Sequence, residues 1–209
     1  MWILDSDTAE DEEFDPSVLH ALKKSGGRAL GFMPDNGEGA VEVYRIENFD
    51  LVPLDTENYG LFFGGDSYVI KYEYQNKRGG HGFIIYYWQG KHSSIDEKAA
   101  SAIHAVRLDE AVGGAVQVRV VQGHEPRHFI KIFQGKMITF TGGHASGFKN
   151  IKDNDTYDVD GTRLFRVRGT CAEDIRANQM AEEAASLASD DVFVLETPAT
   201  TYIWHGIVS

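Results

Sequence analysis

The chain has almost no cysteine, and too few basic residues to balance its acidic ones. Cys171 is the single cysteine among 209 residues, so no disulfide can form within the chain and a reducing compartment is expected. The 20 Lys and Arg residues stand against 32 Asp and Glu residues, for a formal net charge of −12. Because nucleic-acid binding needs a basic surface that neutralises phosphates, we expect no nucleic-acid partner.

Long apolar runs are also missing. No stretch approaches the roughly 18 consecutive apolar residues of a membrane-spanning helix. The opening Met1-Trp2-Ile3-Leu4 is followed at once by acidic residues, whereas a secretory signal has a basic start and an apolar region of about 7–15 residues. The sequence therefore predicts a soluble, cytoplasmic protein.

The segments that are present show strand patterns separated by glycine-rich turns. Residues 41–46 alternate weakly, residues 68–74 more strongly, and residues 83–88 are almost wholly apolar. A strand that is apolar on both faces is typical of a sheet covered on both sides. Further strands are predicted near residues 116–120 and 137–140.

Two helices are predicted between these strands. A long one covers residues 94–108, with Ser93 or Ser94 as its N-cap and Gly113-Gly114 beyond its end. A short one lies near residues 129–133. One sheet with one long and one short helix is an α+β arrangement.

Three short motifs recur in the same order about 120 residues apart, which indicates a duplicated domain rather than a solenoid repeat. The pairs are Tyr44-Arg45-Ile46 with Phe165-Arg166-Val167, Asp66-Ser67-Tyr68-Val69-Ile70 with Asp191-Val192-Phe193-Val194-Leu195, and Tyr87-Trp88-Gln89-Gly90 with Ile203-Trp204-His205-Gly206.

The repeat divides the chain into four parts. A linker with an acidic start covers residues 1–40, a complete domain covers 41–148, a polar linker covers 149–161, and a partial second copy covers 162–209. The second copy stops before a counterpart of the long helix. We therefore expect it to expose apolar surface on its sheet unless something else packs there.

Two acidic residues are candidates for a metal site. Asp66 follows Gly64-Gly65 and leads directly into a buried strand, and Glu97 lies in the first turn of the long helix. Ca²⁺ takes six to eight oxygen ligands and often mixes carboxylates with backbone carbonyls. The alternative is that Asp66 caps a turn and that Glu97 complements the helix dipole.

His124-Glu125-Pro126-Arg127-His128 matches the zinc-hydrolase pattern H-E-x-x-H. That chemistry needs both imidazoles one turn apart on one helix. Pro126 favours a helix that begins at Glu125 or Pro126 and leaves His124 outside. A zinc hydrolase using His124 and His128 is therefore disfavoured, and we expect two solvent-facing histidines at a helix start.

The sequence resembles the gelsolin/villin family from about residue 41 onward, in particular the fourth domain of its six-domain members and the start of the fifth. The matching segments are Val43-Tyr44-Arg45-Ile46-Glu47, Leu51-Val52-Pro53, Tyr59-Gly60-Leu61-Phe62-Phe63-Gly64-Gly65-Asp66-Ser67-Tyr68-Val69-Ile70, Ile84-Ile85-Tyr86-Tyr87-Trp88-Gln89-Gly90, Asp96-Glu97-Lys98-Ala99-Ala100 and Val120-Val121-Gln122-Gly123-His124-Glu125. The resemblance implies a gelsolin-like (ADF/cofilin-like) fold, in which one long and one short helix enclose a central mixed β-sheet.

The resemblance also implies calcium sites. The site within the first domain would use the carbonyl of Gly65, the carboxylates of Asp66 and Glu97, and the carbonyl of His144. A second ion, shared with actin, would use Asp109, Gly114 and the carbonyl of Val116. In the partial repeat, Asp190 and Asp191 match the first half of the intradomain site.

The function that the resemblance implies is a calcium-regulated, non-enzymatic actin-binding module of a filament severing or capping protein. The long helix 94–108 would enter the apolar cleft of actin, with Ile103, His104 and Arg107 as contacts. For Ile103, burial in the chain's own core is an equal alternative.

Two further alternatives stay open within the family. The chain can instead belong to a member that does not sever and that acts as a monomer binder or scaffold. Phosphoinositide headgroups are candidate ligands for Lys77-Arg78 or for Arg127, Lys131 and Lys136.

Overall fold

The computed structural model describes residues 33–75, 79–143 and 161–207, all within one compact unit. The strands are β1 (Ala40–Glu47), β2 (Asp50–Pro53), β3 (Leu61–Phe63), β4 (Ser67–Gln75), β5 (His81–Gln89), β6 (Val116–Val121), β7 (Met137–Phe140), β8 (Arg163–Arg168), β9 (Arg176–Met180), β10 (Val192–Glu196) and β11 (Thr201–His205). The helices are α1 (Ile95–Val112) and α2 (Arg127–Lys131), and 3-10 turns cover Thr56–Asn58, Ala172–Asp174 and Ala184–Ser186. No helix of these described parts is long and apolar enough to cross a membrane.

The first sheet has the strand order β2-β1-β4-β5-β6. Its pairs are antiparallel except for β5 and β6, which run parallel because α1 carries the chain back between them. This mixed sheet with its helices confirms the α+β, gelsolin-like prediction.

Each face of this sheet has its own core, because side chains alternate along the strands. Tyr68 and Ile70 of β4 point to the core that contains Phe129, next to the short helix α2. Val69, between them, points to the core that contains Ala100 and Ala105 of the long helix α1. The two helices therefore lie on opposite faces of the sheet, as predicted.

Helix α1 begins with a capping box. Ser94 is the N-cap: its Oγ accepts the amide hydrogen of Glu97, and the Glu97 side chain accepts from the backbone of Ser94. The helix ends at Gly113, whose φ of 77° is the left-handed conformation that glycine adopts without strain.

Three large apolar residues of α1, Ile95, Ile103 and Val106, face outward, while Leu108 packs against the core. Its buried residues are the small or polar Ala100, Ser101, His104 and Ala105. Ile95 is 85% exposed and Ile103 is 53% exposed. This is the reverse of an ordinary amphipathic helix, whose apolar stripe faces the core.

The second sheet combines strands of both repeats, in the order β11-β10-β8-β9-β7-β3. β8, β10 and β11 pair as β1, β4 and β5 do in the first repeat: Phe165 lies opposite Val194 as Tyr44 lies opposite Val69. The strand β7 runs parallel to both β3 and β9, so it joins the two repeats through backbone hydrogen bonds. Neither β3 nor β9 is predicted by the sequence patterns.

The outermost strand of the second repeat, β11, is exposed on both faces. Tyr202 is 56% and Ile203 is 63% exposed. This strand of the second copy thus presents apolar surface.

A buried hydrogen-bond network fastens residues 35–39 to α2. His128 is 1% exposed, and its Nε2 lies 2.7 Å from Oδ1 of Asp35 while its Nδ1 lies 2.6 Å from the hydroxyl of Tyr86. In the tautomer that donates from Nε2 to Asp35, Nδ1 accepts from Tyr86. The Tyr72 hydroxyl donates to the other oxygen of Asp35.

The pKa of each partner follows from this burial. Desolvation lowers the pKa of His128 below its ordinary value of 6.5, against the raising effect of Asp35. Desolvation raises the pKa of Asp35, but hydrogen bonds from His128, Tyr72 and the Gly37 amide outweigh it and leave that pKa below its usual range.

Replacing Phe62 with alanine is expected to destabilise the chain by about 3–5 kcal/mol, because it opens a cavity in an aromatic cluster. Phe62 is fully buried, and its ring centroid lies 5.0 Å from those of Tyr68 and Trp88 and 5.3 Å from that of Phe133. Urea unfolding followed by circular dichroism measures the change. The control Val106→Ala, at a 45% exposed position, should change stability by only about 0.5 kcal/mol. Similar losses in both variants would contradict this description of the core.

The free energy of unfolding is expected to decrease as the pH falls below about 6.5. The unfolded chain takes up a proton at His128 there, while the folded chain, whose His128 pKa is lowered, resists it. Denaturant unfolding at a series of pH values should show a weaker pH dependence in His128→Gln than in the parent chain. The exposed His124→Gln variant should keep the parent dependence. Equal slopes in all three proteins would show that His128 is not the source.

Candidate functional site

Three loops meet at Gly64-Gly65-Asp66, just before β4. The amide of Gly65 donates to the carbonyl of Gly142 at 2.7 Å, which brings in the loop after β7. The amide of Gly90 donates to the carbonyl of Asp66 at 3.0 Å, which brings in the loop between β5 and α1. A Cβ atom on Gly65 would lie 2.9 Å from Cα of Gly143, so this approach requires glycine.

Asp66 is a buried carboxylate at this junction, 6% exposed. The Tyr68 hydroxyl donates to its Oδ2 at 3.3 Å and also lies 3.1 Å from the amide of Phe63. Burial, together with the negative charge of Asp66, raises the pKa of Tyr68, so the phenol stays protonated and serves as a donor.

Glu97 reaches the same corner of the fold from α1. Its Oε2 accepts hydrogen bonds from Ser93 Oγ at 3.2 Å and from the amide and hydroxyl of Ser94, each at 3.0 Å. Ser93 Oγ lies 2.6 Å from Oγ of Ser67, the residue after Asp66. A short chain of hydrogen bonds therefore connects the Glu97 carboxylate to Ser67, the residue next to Asp66.

The oxygen donors at this corner fit a hard divalent cation such as Ca²⁺. The side chains are carboxylates, and the backbone carbonyls of Gly64, Asp66 and Gly142 belong to the same loop junction, where they accept amide hydrogens. No group of three or more His, Cys, Asp or Glu that could hold a metal occurs among residues 33–75, 79–143 and 161–207. A cation here would thus depend on backbone oxygens in addition to Asp66 and Glu97. His144 lies outside the described residues.

Asp109 lies at the opposite end of α1 and organises the turn that follows. Its Oδ1 accepts the amide hydrogen of Ala115 at 2.5 Å, and its Oδ2 accepts from Gln117 Nε2 at 2.6 Å. Gly114 adopts a φ of 120°, and Val116 is 45% exposed. The turn brings Asp109, Gly114 and Val116 together at the surface.

The structure separates the three predicted actin contacts. Ile103 and Arg107 are exposed, so burial of Ile103 in the core is ruled out. His104 is 9% exposed, and its Nε2 lies 2.8 Å from the carbonyl of Phe49. This corrects the prediction of His104 as a surface contact: it points inward and holds the β1–β2 hairpin against α1.

The tip of that hairpin is a surface feature that the sequence analysis missed. Asn48 and Phe49 have φ values of 50° and 69°, in the left-handed region that non-glycine residues seldom adopt. Phe49 is 63% exposed. Asn48 is a signal for such a turn, but nothing in the sequence distinguishes an exposed Phe49 from a core residue.

The second repeat uses its equivalent acidic residue differently. Asp191 is 6% exposed and accepts two hydrogen bonds from Arg168, at 2.7 and 3.0 Å, while Arg166 Nε lies 2.7 Å from its Oδ2. Asp190 is exposed. Two guanidinium groups already neutralise Asp191, so a cation at this position would have to compete with them.

The zinc alternative fails on the geometry of its histidines. Helix α2 begins at Arg127, after Pro126, and His124 lies before it and is exposed. Both ring nitrogens of His128 are engaged, with Tyr86 and with Asp35. The expectation that His128 faces solvent is wrong, because a partner 93 residues away covers it.

Of the candidate phosphoinositide residues that the structure describes, Arg127 is engaged by the second repeat. Lys77-Arg78 lies outside the described residues. Arg127 Nη2 donates to Cys171 Sγ at 3.7 Å, and its Nε lies 3.9 Å from Oδ2 of Asp174 in the second repeat. Arg127 thus contributes to the junction between the repeats.

Comparison with known proteins finds relatives that all belong to one family. The Gelsolin repeat family matches residues 48–130. The cytoplasmic gelsolin of Homarus americanus is 56% identical over 205 residues, covering 95% of this chain and 27% of the relative. Advillin of Mus musculus is 44% identical over 196 residues, covering 93% of this chain and 23% of the relative.

A solved structure, from a Thorarchaeota 2DGel3/rabbit actin complex, is 28% identical, with a TM-score of 0.40, covering 80% of this chain and 77% of that chain. The chain spans about a quarter of the lobster and mouse relatives. These relatives agree with the prediction of a non-enzymatic protein. From the Gelsolin repeat match and these identities, the chain belongs to the gelsolin/villin family.

Proposed function

We propose that the chain is a calcium-regulated actin-binding module of a filament severing or capping protein. The observation that carries this proposal is the outward-facing apolar row of α1. Ile95, Ala99, Ile103 and Val106 follow one another at helical spacing, and all are exposed. An apolar helix face that its own sheet does not cover suits recognition of a groove on a partner.

Membership of the gelsolin/villin family supports actin as that partner, in line with the resemblance of the sequence. Arg107 lies on the exposed part of the helix, and Phe49 adds apolar surface on the hairpin that His104 holds to the helix. We propose Ile103 and Arg107 as contacts, with Phe49 at the edge.

The chain covers only part of its relatives, so severing is assigned to the longer protein and binding to this module. A non-severing member that binds monomers or acts as a scaffold is the second candidate within the family. We also propose a cytoplasmic location at the actin cytoskeleton, following the name of the lobster relative.

We propose calcium at two positions in the first repeat. Asp66 and Glu97 would hold the first ion, together with the carbonyls of Gly65 and His144. Asp109, Gly114 and the carbonyl of Val116 would hold the second, with a carboxylate from actin. Bound calcium would offset the negative charge of these carboxylates. It would favour the arrangement in which α1 is available to bind actin. Phosphoinositide binding through Lys131 and Lys136 remains a secondary proposal.

Replacing Ile103 with aspartate is expected to weaken actin binding at least tenfold, because it places a charge in the centre of the apolar row. The control Leu187→Asp changes a 39% exposed residue of the second repeat and should keep the parent affinity. Binding to fluorescently labelled actin monomers in calcium measures both. Parent-like affinity in Ile103→Asp would show that α1 is not the actin-binding surface.

Replacing Asp66 with asparagine is expected to abolish the actin-independent calcium site, because the ion loses a charged ligand. Titration calorimetry with calcium chloride measures the loss, and Asp190→Asn, at an exposed position, is the control. A parallel titration with zinc tests the hydrolase alternative. Calcium binding that survives in Asp66→Asn, or zinc binding that His128→Ala removes, would contradict the proposal.

A further inference from the structure

Two buried serines connect the start of β4 to the carboxylate of Glu97. Ser67 is fully buried and Ser93 is 6% exposed. Their hydroxyl oxygens lie 2.6 Å apart, and Ser93 Oγ lies 3.2 Å from Oε2 of Glu97. Ser67 directly follows Asp66, so this relay begins beside one proposed calcium ligand and ends on another.

The direction of the relay follows from proton counting. A serine hydroxyl has a single hydrogen. In the arrangement in which Ser93 donates its hydrogen to Glu97, Ser67 donates to Ser93. In this arrangement the relay delivers one donor to Oε2 of Glu97.

Helix capping alone does not require this relay. Ser94 supplies the whole capping box, through its own hydroxyl, its amide and the amide of Glu97. Ser93 and Ser67 add a further hydrogen bond to the same oxygen, and they place two hydroxyls in a buried position where alanine would fit. All of these serine donors converge on Oε2, and none of them engages Oε1.

We propose that Ser67 and Ser93 are positioning residues for the calcium site, an inference that rests on the proposed calcium function of Asp66 and Glu97. The relay fixes the Glu97 side chain through Oε2 and leaves Oε1 as the oxygen that can bind the ion. It also ties the orientation of Glu97 to the residue next to Asp66. Hydrogen bonds that orient a ligating carboxylate typically change metal affinity by about 10–100-fold.

The test compares three serine variants by calcium calorimetry. Ser93→Ala breaks the relay and should weaken calcium binding about tenfold. Ser93→Thr keeps a hydroxyl and should restore most of the affinity. The matched control is Ser101→Ala: Ser101 is a buried serine one turn beyond Glu97 in α1, but it donates to the carbonyl of Lys98 and not to Glu97. Its calcium affinity should stay within about twofold of the parent.

Thermal unfolding in chelator separates positioning from stability. Positioning predicts that Ser93→Ala and Ser101→Ala lose comparable metal-free stability while only Ser93→Ala loses calcium affinity. Parent-like calcium affinity in Ser93→Ala would overturn the positioning role, even where its melting temperature falls. The Asp66→Asn variant distinguishes failure of the positioning inference from failure of the proposed calcium site. If it loses calcium but Ser93→Ala does not, only the positioning inference fails. If the parent chain binds no calcium, both fail.

Discussion

The junction between the start of β4 and the N-terminus of α1 is the constraint on which the functional surface depends. The amide of Gly90 bonds to the carbonyl of Asp66, and Ser67 bonds to Ser93. These contacts fix where the long helix begins, and the capping box at Ser94 fixes how it begins. An ion held by the two acidic residues of this junction would therefore act directly on the helix that carries the proposed actin-binding face.

The packing of α1 explains how one helix can serve both the core and a partner. Ala100 and Ala105 face the sheet, so this part of the helix backbone can approach it closely, and Leu108 packs against the same core. Ile103 and Val106 then remain for the outer face. The chain gives up apolar burial that would stabilise it alone, and the exposed area is available to an interface.

Local sequence patterns predicted the parts of the fold that depend on near neighbours. They indicated the central strands, a serine N-cap and a glycine stop at Gly113, because strand alternation and capping act over a few residues, but α1 continues to Val112 and not only to residue 108. They did not reveal that His104 points inward or that His128 is buried, since the partners Phe49 and Asp35 are distant in sequence. The strand β9 was missed because Arg176–Met180 is polar and pairs with a strand of the other repeat. The pairing of Asp66 with Glu97 at one metal site stays a prediction, and the contact of Ser67 with Ser93 became visible only in the structure.

Regulation of α1 by calcium requires that Asp66 and Glu97 bind the same ion. A crystal structure of the chain grown with calcium tests it most directly. The account predicts a single cation with oxygens of both Asp66 and Glu97 at about 2.3–2.6 Å, completed by backbone carbonyls. Well-ordered carboxylates at saturating calcium with no cation between them would contradict it.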